Sequence, residues 1–163
     1  MSQNFEGKKV PNVTFRTRQG DQWVDVTTEQ LFAGKTVIVF SLPGAFTPTC
    51  SAKHLPGYIE QAEAFKAAGV DEIWCVSVND AFVMGAWGRE QNATGKVRMI
   101  ADGDAAFAKA TGLTLDLNGK GLGLRSNRYS MLVKDGKVVT LNVEAPGKFE
   151  VSDAATLLAQ AKG

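Results

Sequence analysis

Chemistry in this sequence centres on two cysteines, Cys50 and Cys75, and one histidine, His54, among 163 residues. Cys50 closes the stretch Pro43-Gly44-Ala45-Phe46-Thr47-Pro48-Thr49-Cys50. Thr47 suits a helix N-cap, and Pro48 then takes the first helical position, where its missing N–H costs nothing. Cys50 becomes the third helical residue, inside a first turn whose unpaired N–H groups and dipole favour negative charge. The thiolate is the nucleophilic form of cysteine, so this is an activating position. An arbitrary cysteine is more often a small packing residue; the cap, the proline and the helix start argue otherwise here.

Cys50-Ser51-Ala52-Lys53 is not C-x-x-C. A local dithiol is therefore excluded, and the first chemical step belongs to a lone thiolate. The two cysteines are far apart in sequence and no H-x-x-H pair exists, which argues against a zinc site. His54 falls four residues after Cys50, on the same helical face. No third partner for a papain-like arrangement is evident, so His54 is read as packing or hydrogen bonding beside the nucleophile. Cys75 sits within the apolar run Ile73 to Val78, the setting of a buried structural thiol.

The elements that must position Cys50 follow from periodicity. Lys35 to Ser41 and Ile73 to Val78 read as buried strands. Between them, Leu55, Tyr58, Ile59, Ala62 and Phe65 recur at helical spacing within Ser51 to Ala68. A strand, helix, strand unit with a parallel crossover is the expected result, and it puts Cys50 at the carboxyl edge of the sheet. Ala81 to Glu90 reads as a helix, Arg98 to Ala101 as a short strand and Asp104 to Thr111 as a helix. Tyr129 to Val133 and Val138 to Val143 flank Asp135-Gly136 as a hairpin. Turns are also expected at Gly20-Asp21 and Pro146-Gly147, and a closing helix with Ser152 as N-cap. This order describes a thioredoxin-like α/β three-layer sandwich with a mixed central sheet, a single domain over residues 1–163.

Composition narrows the class further. Apolar residues make up 44% and charged residues 21% of the chain, which supports a packed core rather than disorder. Eighteen Lys+Arg against seventeen Asp+Glu leave a net charge of +1, without the basic surplus that nucleic-acid binding needs. The longest apolar run, Val37 to Leu42, falls far short of the roughly 18–20 residues of a membrane span. Two cysteines are too few for a disulfide scaffold and suit a reducing compartment. The polar start, with Lys8 and Lys9, shows no targeting pattern, so a cytoplasmic location is expected.

The P-x-x-x-T-x-x-C pattern of Pro43, Thr47 and Cys50 resembles the active-site motif of the peroxiredoxins. The longer string through Cys50-Ser51, then Lys53-His54-Leu55-Pro56-Gly57-Tyr58, is similar to their type II, or Prx5-like, subfamily. Ser77 to Met84 with Ala86-Trp87-Gly88, Arg128-Tyr129-Ser130-Met131 and Leu141-Asn142-Val143-Glu144 look like its later signatures. The resemblance runs from about residue 5 to the end and implies a thiol-dependent peroxidase acting on hydrogen peroxide and small organic (alkyl) hydroperoxides. By similarity Cys50 is the peroxidatic cysteine, oxidised to a sulfenic acid. Thr47 would turn its hydroxyl toward thiolate and peroxide, Arg128 would supply a fixed positive charge, and Pro43 would shield the pocket from water. Arg125 is the near alternative to Arg128. Trp87 and Phe46 read as pocket wall or subunit contact.

The resemblance further implies a homodimer, no cofactor, and recycling by an external thiol, either glutathione with glutaredoxin or thioredoxin. Cys75 resembles a resolving cysteine found in part of the subfamily, although a disulfide needs Cα atoms within about 7 Å. Reaching Cys50 from mid-strand would require the first helical turn to unwind. A peroxide sensor or relay that oxidises a partner through the same cysteine is the alternative reading.

Overall fold

The structure, a computed structural model, describes residues 6–19 and 21–163. The expected turn at Gly20-Asp21 includes Gly20, which lies outside the described residues. The chain folds as β1 (Thr14–Gln19), β2 (Gln22–Thr27), α1 (Thr28–Phe32), β3 (Thr36–Leu42), a π-helical turn (Cys50–His54), α2 (Leu55–Glu60), α3 (Ala62–Ala67) and β4 (Glu72–Ser77). It continues as α4 (Ala81–Glu90), β5 (Arg98–Ala101), α5 (Ala106–Thr111), β6 (Thr114–Leu117), β7 (Gly123–Ser126), β8 (Tyr129–Lys134), β9 (Lys137–Val143) and α6 (Ala154–Lys162).

Five strands form the central sheet in the order β5-β4-β3-β8-β9. β3, β4 and β5 run parallel, whereas β8 and β9 are antiparallel to their neighbours. The sheet is therefore mixed. Alternation along β3 divides the core in two, because successive side chains leave opposite faces of a strand. Ile38, Phe40 and Leu42 pack with Leu55, Tyr58, Phe65, Trp87 and Leu157 from the helices. Val37 and Val39 pack with Trp74, Met131, Phe15, Phe32 and Phe107 on the other face. The result is the three-layer, thioredoxin-like sandwich expected from the sequence.

The β8–β9 hairpin turns through Asp135 (φ 48°) and Gly136 (φ 79°), the left-handed pair that a two-residue type I′ turn demands. Three expectations change in detail. Ser152 is not the cap of the closing helix: Asp153 accepts from the Thr156 N–H at 3.1 Å, because the Ser152 hydroxyl is committed to Glu144 at 2.7 Å. The long helix is broken into a π-helical turn, α2 and α3. The β1–β2 and β6–β7 hairpins and α1 are additional to the elements read from periodicity.

Candidate active site

β3 ends at Leu42, and the loop 43–47 carries the chain from its carboxyl end into the helix that bears Cys50. The helix starts where the sequence places it. Ser51 N–H donates to the Thr47 carbonyl at 3.0 Å, leaving Pro48 in the first turn. The Thr47 hydroxyl, however, donates backward to the Gly44 carbonyl at 2.7 Å, so its remaining capacity is as an acceptor. From Cys50 the bonding widens to the i→i+5 pattern, with Leu55 N–H donating to the Cys50 carbonyl. Such π-helical turns recur at functional sites.

Cys50 and His54 are both buried. Arg128, immediately ahead of β8, joins them: its Nη2 lies 3.3 Å from Cys50 Sγ, and its Nη1 lies 2.9 Å from His54 Nδ1. On the other side of the ring, His54 Nε2 meets the Ser152 carbonyl at 3.1 Å. A guanidinium only donates and a carbonyl only accepts, so Nε2 carries the ring proton and Nδ1 is the acceptor. Burial and the Arg128 charge lower the His54 pKa from 6.5 to about 3, so the imidazole is neutral near neutral pH. Phe149 completes the enclosure, its ring 5.7 Å from Arg128 Cζ and 5.0 Å from the His54 ring.

Arg125, the alternative to Arg128, serves the entry loop instead. Its Nη1 donates to the Pro43 carbonyl at 3.2 Å, and its Nε to the Leu122 carbonyl at 2.8 Å. A Cβ at Gly44 would sit 2.6 Å from Arg125 Nη1, so the absence of a side chain there makes this contact possible. Asn79 holds the loop from the opposite side, accepting from Ala45 N–H at 3.0 Å and from the Ser77 hydroxyl at 2.6 Å. Trp87 Nε1 donates to the Ser51 hydroxyl at 3.0 Å, next to the nucleophile. Phe46 is exposed and adopts φ 64°. Arg125 and Asn79 thus support the site, and the bonds by which they hold the entry loop, to Pro43 and Ala45, span 82 and 34 residues, too far for spacing to reveal.

Cys75 is fully buried at mid-β4, paired in register with Phe40 on β3 and Met99 on β5. Its side chain belongs to the same apolar cluster as Cys50. Burial, reinforced by the Cys50 charge, pushes the Cys75 thiol well above its ordinary range, which disfavours the reactive thiolate. Both cysteines are free. Outside the enclosure, a cavity of about 500 Å³ is lined by Pro43, Thr49, Arg128, Leu115, Leu117 and Phe149, among others. Among the described residues, no helix is long and apolar enough to cross a membrane.

A buried cysteine at a strand-to-helix junction, with an arginine 3.3 Å from its sulfur, is an arrangement suited to thiol-based redox chemistry. The Redoxin family model matches residues 5–158, and the chain belongs to that family. Within it the chain falls among the peroxiredoxins, the thiol peroxidases. The hybrid peroxiredoxin hyPrx5 of Haemophilus influenzae is 58% identical over 158 residues, covering 95% of this chain and 65% of that protein. A Synechocystis sp. peroxiredoxin is 47% identical over 172 residues, covering 96% of this chain and 90% of its own. The crystal structure of reduced Prx3 from Vibrio vulnificus in complex with hydrogen peroxide superposes with a TM-score of 0.92 at 54% identity, covering 96% and 98% of the two chains.

Proposed function

We propose that the chain reduces hydrogen peroxide and small alkyl hydroperoxides through Cys50, with Arg128, Thr47 and Pro43 assisting. The single observation that carries this reading is the Arg128 Nη2 contact with Cys50 Sγ at 3.3 Å. A fixed guanidinium beside the sulfur favours the thiolate and stabilises charge that develops as the O–O bond breaks. The thiolate attacks one peroxide oxygen; an S–O bond forms and the O–O bond breaks. Hydroxide or alkoxide leaves and takes a proton, the sulfur loses two electrons, and Cys50 becomes a sulfenic acid. Thr47, its own proton given to Gly44, is suited to accept from the peroxide O–H, and Pro43 to limit water at the pocket. The 54%-identical Vibrio protein, whose structure is described as holding hydrogen peroxide, supports this substrate class.

An external thiol then attacks the sulfenic sulfur and releases water, and a second thiol frees Cys50. Glutathione with glutaredoxin, or else thioredoxin, fits this role, and no cofactor is required. Cys75 acts as a packing residue in this scheme, because it is fully buried in mid-strand with a raised thiol. We further infer a homodimer in the cytoplasm, a reducing compartment in keeping with two unpaired thiols. The test is steady-state peroxide turnover with a thiol reductant. Cys50→Ser is expected to abolish it; turnover retained in that variant overturns the reading. One oxidation without turnover in the wild type would instead favour the sensor or relay.

A further inference from the structure

Glu144 follows β9 and is only 3% exposed, yet the notable feature is what it binds. Its carboxylate gathers three successive backbone N–H groups. Glu150 N lies 2.9 Å from Oε1 and 2.8 Å from Oε2, and Val151 N and Ser152 N each lie 2.8 Å from Oε2. The Ser152 hydroxyl adds a bond of 2.7 Å to Oε2. Burial alone would raise this carboxyl's pKa; the donors on Glu150, Ser152 and Val151 override it and hold it below its ordinary value. These bonds are not needed to start α6, which Asp153 caps through the Thr156 N–H and hydroxyl at 3.1 and 2.6 Å.

The fixed segment instead faces the active site. Ser152 is fully buried, and its carbonyl accepts both from His54 Nε2 at 3.1 Å and from the Tyr58 hydroxyl at 2.8 Å. Its peptide N–H is held by Glu144 and its carbonyl by two ring donors. That carbonyl selects the Nε2–H form of His54, which leaves Nδ1 to receive Arg128 Nη1 at 2.9 Å. With Nη1 tied, Nη2 is directed to Cys50 Sγ at 3.3 Å. Phe149, on the same segment, lies against both His54 and Arg128.

We propose that Glu144 is a positioning residue for the peroxide-reducing site: it fixes the Ser152 carbonyl, which sets the His54 tautomer and, through His54, aims Arg128 at Cys50. This inference rests on the reading of Cys50 as the peroxidatic residue. A carboxylate suits the segment better than an amide, because an amide oxygen in the Oε2 place carries no full charge and turns its NH2 toward the Glu150 N–H that Oε1 now accepts.

The test measures single-turnover oxidation of Cys50 by hydrogen peroxide in the reduced wild type, Glu144→Gln, His54→Phe and the double variant. Each single variant is expected to slow oxidation roughly tenfold, the scale of one well-placed hydrogen bond, and the double variant to be no slower than His54→Phe alone. Non-additivity of this kind marks two residues acting through one path. A second readout is the ¹⁵N signature of His54, which is the sole histidine. The wild type is expected to show protonated Nε2 and bare Nδ1, and Glu144→Gln a mixture of tautomers. Unchanged rate and tautomer in folded Glu144→Gln, effects that multiply in the double variant, or an Nδ1–H wild type would each overturn the proposal. Should Glu144→Gln fail to fold, Ser152→Ala, which removes only the hydroxyl contact, is expected to slow oxidation a few-fold with partial tautomer mixing; an unchanged tautomer overturns the proposal. A wild type whose Cys50 is not oxidised at all overturns the peroxidase reading itself.

Discussion

One guanidinium serves two groups: Arg128 places Nη2 3.3 Å from Cys50 Sγ and Nη1 2.9 Å from His54 Nδ1. The planar fork makes both contacts from one fixed side chain, which an ammonium on a flexible stem does not reproduce. Arg128→Ala is expected to slow oxidation of Cys50 by hydrogen peroxide by about a hundredfold, on the scale of losing a preorganised donor. Arg128→Lys is expected to recover only part of that rate. Stopped-flow oxidation of the reduced protein checks both, and near-wild-type rates in Arg128→Ala would remove the arginine from its role.

The same contacts make stability acid-sensitive. His54 is neutral in the folded state down to about 3, whereas its ordinary value is 6.5. The unfolded chain therefore binds the extra proton between these values, and stability, fully present above pH 6.5, falls as pH drops through this window. The contribution is about 1.4 kcal/mol per pH unit. Glu144, whose pKa is lowered, adds a loss of the same sign below its ordinary 4.5, and Asp102, whose pKa is raised, acts in the opposite sense. Chemical denaturation of wild type and His54→Phe across pH 4.5 to 6.5 isolates the histidine, and the variant is expected to show the flatter profile.

Gly44 offers a separation of activity from stability. A Cβ there would press on Arg125 Nη1 at 2.6 Å and Thr47 Cγ2 at 3.2 Å. The arginine tip is flexible and can withdraw, so Gly44→Ala is expected to cost under about 1 kcal/mol of stability. Withdrawal breaks the bond to the Pro43 carbonyl and loosens the entry loop. A several-fold drop in kcat/KM at nearly constant Tm is the expected pattern.

How much of this was legible in the sequence depends on the range of the interactions. α4 and β5 fall within the stretches their patterns predict, Ala81–Glu90 and Arg98–Ala101, and Asp135-Gly136 marks its hairpin, because each is set by local periodicity or turn chemistry. Cys50 could be singled out from its cap, proline and helix start, and Arg128 from the family resemblance, with Arg125 as its near alternative. Among the described residues of the β1–β2 hairpin only Phe15 is buried, the rest being exposed or half-buried, so its apolar signal is weak. Thr27 and Gln30 form a capping box at the start of α1, a signal that Thr-x-x-Gln carries and that periodicity alone overlooks. Asn79 and Arg125 hold Ala45 and Pro43, which only the tertiary fold brings near, and Glu144 gathers the N–H groups of an irregular loop that has no periodic signature. The Ser152 cap failed because Glu144, in the preceding loop, claims its hydroxyl and the neighbouring Asp153 caps instead.

Cys75 distinguishes packing from chemistry. Fully buried between Phe40 and Met99 in register, it contributes sulfur volume to the core under the helices. Cys75→Ala is expected to cost about 1–2 kcal/mol through the cavity it leaves, while thiol-dependent peroxide turnover persists. Thermal denaturation and steady-state assays of one preparation measure both quantities.

The most direct measurement is the intact mass and peptide map of the reduced protein after one equivalent of hydrogen peroxide, without added thiol. A gain of one oxygen on Cys50 is expected, a sulfenic acid awaiting an outside reductant. An unmodified Cys50 would contradict the peroxidase reading. A loss of two hydrogens within one chain would contradict the external-thiol step and make Cys75 the resolving residue, with the π-helical turn at Cys50–His54 unwinding in each cycle.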